Sequence, residues 1–200
     1  AYDKPLARET ISQYITLIKQ ITGQDMNKDS SDKIVDLAIN NMEAVVALMD
    51  NRAEISNRLR NEFVFKPLGE FASQKGLVFE VKKGNEGPAI LFKKQNWSHY
   101  ITVTRDDGRD SDWKNLYIGV SESYKSAGED RTLPRVQLSC FSGPDSANNE
   151  WWPYGSEWLP CKDWHSTSSY LPMQTGEVAN WIISKVTQII EEIESRDLPM

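Results

Sequence analysis

The stretch GLVFEVKKG, Gly76 to Gly84, is where the chain changes its rhythm. Before it, apolar residues recur every three or four positions. From Leu77 onward they alternate: Leu77, Phe79 and Val81 on one side, Val78, Glu80 and Lys82 on the other. A switch from a period near 3.6 to a period of 2 marks the passage from helix to strand. Further strands are expected at 89–94, 98–105, 115–121 and 135–141, joined by links rich in Gly, Asp, Asn and Ser. Most links are short and none reads as a crossover helix, so the strands should pair antiparallel.

Upstream, three helical segments are expected. The first runs from Pro5 to Gly23, with Ile11, Tyr14, Ile15, Ile18 and Ile21 on one face. A second, capped by Ser30 or Ser31, carries apolar residues from Ile34 to Met49 and is interrupted at Asn40-Asn41. A third opens at Asn51, buries Ile55, Leu59 and Phe63, kinks at Pro67 and closes at Gly76. Downstream, a loop over 142–174 precedes a final helix, Gly176 to Ser195, capped by Thr175. Helices, then strands, then a helix give an α+β fold: a helical part over 1–75 and a sheet, Trp-rich loop and closing helix over 76–200, together one compact body.

Glu80-Val81-Lys82 also spells the acid-x-lysine triplet with which many metal-dependent nucleases hold Mg²⁺ and activate water. Glu80 and Lys82 share one side of a strand, as that chemistry requires; a wet strand face requires the same. With 29 acids and 14 lysines among 200 residues, about two such triplets arise by chance, and Asp112-Trp113-Lys114 is the second. No partner Asp stands on a preceding strand. The solvated-face reading prevails, with a self-contained nuclease using Glu80 and Lys82 as an alternative.

Four of the seven tryptophans lie in WWPYGSEWLPCKDW, Trp151 to Trp164. Trp151, Trp152, Tyr154, Trp158 and Trp164 could stack bases, sugars or a peptide. Equally, they could cover a sheet face that lacks other apolar material. Lys162 is the sole base in the stretch, which favours the structural reading. A net charge of −6 speaks against a broad grip on nucleic acid. Cys161 and His165 lack the further ligands of a zinc site. The serines near His165 lack a nucleophile elbow. Cys140 and Cys161 are expected as reduced thiols, and the protein as cytoplasmic. No stretch approaches the roughly 20 apolar residues of a membrane helix, and no signal peptide is visible. The chain begins at Ala1, which fits a piece of a longer protein. Nothing in the sequence sets an oligomeric state.

Two phrases resemble one bacterial family of the PD-(D/E)XK nuclease superfamily. KPLARETISQYITLIKQITGQ, Lys4 to Gln24, is similar to the segment following the nuclease core, through Pro5, Leu6, Arg8-Glu9-Thr10-Ile11, Gln13-Tyr14-Ile15 and Leu17-Ile18-Lys19. The Trp-Trp-Pro block and amphipathic last helix resemble the same proteins' C-terminus. The resemblance implies a non-catalytic C-terminal accessory region serving target recognition, regulation or assembly. Its partner would be the nuclease core of the same polypeptide, through which nucleic acid could be reached. The family's metal-binding acids lie upstream of the Arg-Glu-Thr-Ile phrase, so no residue here inherits a catalytic or metal role. Mg²⁺ is implied for the parent nuclease only.

Overall fold

A computed structural model describes residues 28–82, 88–105, 113–121, 133–143, 146–148 and 152–200, with side chains from Ile34 onward. The helix expected over 5–23, Trp151 and Asp112 lie outside these residues. The chain forms two compact units, Ala1–Ile55 and Ser56–Met200.

In the first unit, helix α1 spans Lys28–Asn40 and α2 spans Met42–Asp50. Ser30 and Ser31 lie inside this helix rather than at its cap. The interruption falls at Asn41, with φ −124° and ψ 35°. The hydrogen-bond ladder runs through the break, from Asn41 N–H to Leu37 O at 3.1 Å and from Val45 N–H to Asn41 O at 3.1 Å. The Asn41 side-chain amide donates to Leu37 O at 2.9 Å, and Asn51 does the same to Ala47 O at 2.7 Å. Both asparagines compete locally for the carbonyl four residues back, which is why they punctuate these helices.

Helix α3, Arg52–Arg60, crosses the boundary between units. A π-helical turn, Asn61–Phe65, leads into α4, Lys66–Gln74. The wide turn sits just before Pro67, where proline has no N–H to donate and crowds the preceding turn. Lys66 N–H reaches Asn61 O, so the path stays helical. Gly76 then turns the chain at φ +65° into the sheet.

Five strands, β1 Val78–Lys82, β2 Ala89–Lys93, β3 Tyr100–Arg105, β4 Leu116–Ser121 and β5 Ser156–Trp158, form one antiparallel sheet in chain order. The α+β class is as expected. The fifth strand is not. Residues 135–141 are not a strand: Val136 and Leu138 each donate one bond, to Pro153 O and Tyr154 O, and the chain turns at Phe141 N–H to Leu138 O. Leu138 and Phe141 are fully buried three positions apart, a spacing that strand alternation cannot satisfy on one face. The edge place goes to β5, drawn from the Trp-rich loop. Gly155, at φ +104°, turns the chain into it, and a Cβ there would meet Phe141 at 2.7 Å.

The short helix α5, Tyr170–Gln174, precedes α6, Glu177–Ser195. The N-cap of α6 is Gly176 in the left-handed region, φ 81°, not Thr175, which ends α5. Phe79, Val81, Ile90, Phe92, Ile101, Val103, Ile118 and Val120 project from one sheet face onto α4 and α6. Val178, Ile182, Val186, Ile189 and Ile193 make the facing stripe of α6. Each such side chain taken wholly out of water contributes about 1.5–3 kcal/mol before entropy is counted.

Candidate interaction surfaces

The other sheet face carries Glu80 and Lys82 on β1, Lys93 on β2, Thr102 on β3, Tyr117 and Gly119 on β4, and Trp158 on β5. The register fixes this: Glu80 pairs with Leu91, Leu91 with Thr102, Thr102 with Gly119, and Tyr117 with Trp158. Glu80 and Lys82 therefore share a face with Trp158 of the Trp-rich stretch but stand at the opposite edge, four strand spacings or about 19 Å away. Glu80 and Lys82 pair with each other at 3.6 Å, with side chains 45% and 36% exposed. Among the described residues, no three His, Cys, Asp or Glu side chains converge as metal ligands.

The Trp-rich stretch divides by depth. Trp164 and Tyr154 are fully buried. Trp164 stacks on Trp113 at 5.1 Å with Phe65 against both, and the Tyr154 hydroxyl donates to Pro199 O. Neither presents a ring face to solvent. Trp152 lies over Gly119 on the outer face, only 9% exposed; a Cβ on Gly119 would come within 2.3 Å of its ring. Trp158 is half-buried, meets Tyr117 edge-on at 5.6 Å and has the Lys162 ammonium 5.1 Å from its ring centre. Tyr117 also meets Trp152 edge-on at 4.8 Å. Of the five aromatics, Trp158 is the described one with accessible ring surface. It offers one stacking position, already faced by a cation.

A polar cluster joins α6 to the loop over 137–141. Lys185 pairs with Glu157 at 2.5 Å, the side chains 12% and 14% exposed, and donates to Cys140 O at 2.7 Å. Glu192 accepts from Ser139 N–H and Oγ, both at 2.8 Å, from Cys140 N–H at 3.3 Å and from Arg196 at 2.8 Å. Burial by itself would raise the Glu192 pKa, but the bonds from Ser139, Arg196 and Cys140 outweigh it and hold the carboxyl below its ordinary value. Burial pushes the Cys140 thiol up to about 11 against the pull of Lys185. Such a thiol is a poor nucleophile. Every charged group in the cluster has a partner; the arrangement clamps the loop to the helix.

On the first unit lies a different surface. Val35, Ile39, Met42, Val46 and Met49 are 52%, 60%, 49%, 47% and 69% exposed. The steps of four, three, four and three set them along one face of α1 and α2. α2 buries no residue. Five of the seven exposed large apolar side chains described belong to this row; Val78 and Leu171 are the others. Aligned exposed apolar side chains, unlike single ones, mark a contact surface. The spacing was visible in the sequence, but which side of the helices stays in water was not.

No helix among the described residues is long and apolar enough to cross a membrane. No family model, curated protein or solved structure matches the chain.

Proposed function

We propose that this chain is a non-catalytic assembly module, the accessory C-terminal region of a PD-(D/E)XK superfamily nuclease whose Mg²⁺ chemistry resides in the parent's core. The observation that carries the assembly role is the exposed row Val35–Ile39–Met42–Val46–Met49, which leaves large apolar side chains in water. The nuclease parentage is supported by the two sequence phrases. The test is to produce the parent's upstream core separately and mix it with this chain. Co-elution on size exclusion is expected, and Ile39→Asp with Val46→Asp should abolish it while far-ultraviolet circular dichroism is unchanged. Co-elution that survives both changes refutes the role of the row. An upstream reading frame without an Asp and a Glu-x-Lys on adjacent strands refutes the parentage.

A second reading, a binding module for bases, sugars or a peptide, has Trp158, Tyr117 and Lys162 in its favour. It expects Trp158→Ala to remove any tryptophan-fluorescence response to single-stranded oligonucleotides at low salt. No response in the unmodified chain removes the base-stacking form of that reading.

A further inference from the structure

We infer that the apolar row on α1 and α2 receives an amphipathic helix of a partner protein, one whose own apolar stripe is flanked by lysine or arginine. This rests on the assembly reading above and adds the chemistry of the partner. From Val35 to Met49 the row takes four steps with a mean of 3.5 residues, the repeat that keeps an apolar seam turned toward a second helix. The same spacing also suits a helix lying on a broader apolar surface, so the charge beside it decides the occupant. In heptad terms Ile39 and Val46 occupy the a positions, and Val35, Met42 and Met49 the d positions.

The charge beside the seam selects the occupant. Asp36, Glu43 and Asp50 each follow a d position by one residue and recur every seven, forming an acidic rail along one flank. All three are exposed. Among the described residues, no ion pair reaches any of them. A second copy of this chain answers that rail badly. Paired antiparallel, the rail would face itself, acid against acid. Paired parallel, Glu43 and Asp50 would face Ala38 and Val45 of the preceding heptad, neither of which carries a charge to answer them. Anionic lipid would repel the rail. A helix with Lys or Arg at its e or g positions turns the same rail into three interhelical ion pairs, the device by which coiled coils choose partners.

The test uses the full chain and two dye-labelled designed helical peptides with the same Leu/Ile seam, one flanked by lysine and one by glutamate. Fluorescence anisotropy at low salt should show the lysine peptide binding at least about eightfold more tightly, from three exposed pairs each contributing roughly twofold or more. That preference should shrink toward parity in 1 M salt. Asp36→Lys, Glu43→Lys and Asp50→Lys together should reverse it. Ile39→Asp should abolish binding of both peptides while the melting of the unit Ser56–Met200 is unchanged. Equal binding of the two peptides overturns the inference and leaves the assembly reading standing. Binding of neither overturns the inference, while the co-elution test decides the assembly reading separately. A concentration-dependent dimer in sedimentation, lost in Ile39→Asp, also overturns the inference by naming a second copy as the occupant.

Discussion

Replacing Gly119 by alanine tests whether Trp152 is sealed onto the outer face of the sheet. The added Cβ would sit 2.3 Å from Trp152 Cε3, 2.8 Å from Cζ3 and 2.8 Å from Ser156 Cβ. Carbon pairs prefer about 3.5–4.0 Å, so the indole must retreat by more than about 1 Å. Retreat of a nearly buried ring costs about 1–3 kcal/mol as overpacking. Loss of the edge-on contact between Tyr117 and Trp152, at 4.8 Å, adds about 0.5–1.5 kcal/mol. The sum is roughly 2–4 kcal/mol, and for a domain near 150 residues that lowers Tm by roughly 5–15 °C. Thermal unfolding followed by circular dichroism reads it. The decisive measurement is a double-mutant cycle with Trp152→Ala, in which most of the Gly119→Ala penalty should vanish, leaving the Ser156 contact. A penalty below about 0.5 kcal/mol in the unmodified background, or one unaltered by Trp152→Ala, refutes the proposed packing.

Glu192 and Cys140 supply two further expectations. Because the folded-state pKa of Glu192 lies below its ordinary value of 4.5, its contribution is present above that value and is lost as pH falls through the folded pKa. Glu192→Gln should therefore cost about 1–2 kcal/mol near neutral pH, and its Tm deficit should narrow on acidification below 4.5; a deficit constant from pH 7 to 3 contradicts the charge-assisted bonds to Ser139. Cys140, its pKa pushed up to about 11, should react with iodoacetamide at pH 7.5 far more slowly in the folded protein than in urea. Lys185→Met should slow it further, since the ammonium favours the thiolate. Fast labelling of the folded chain would contradict the burial of the thiol.

Local periodicity reaches some of these features and not others. The change of rhythm at Gly76 was legible because strand alternation at Leu77, Phe79 and Val81 needs only neighbours in sequence. Phe79 does pack on Phe92 from the paired strand, at 5.4 Å. The Asn41 break was legible because an asparagine amide acts on a carbonyl four residues away. The candidate surface was half legible. The 4-3-4-3 spacing from Val35 to Met49 is written in the chain, whereas its exposure depends on what the rest of the fold leaves uncovered.

The α+β class, four of the five strands and the final helix follow from local pattern alone. Tertiary structure decided which segment takes the sheet edge, giving it to Ser156–Trp158 over 135–141. It also decided which aromatics are spent on the core, burying Trp164 and Tyr154 and leaving Trp158 half in water. The physical reason is common to both. Pairing at a sheet edge and burial of a ring are set by partners far along the chain, as when β5 finds β4 across some 40 residues, and no local pattern encodes the identity of a distant partner.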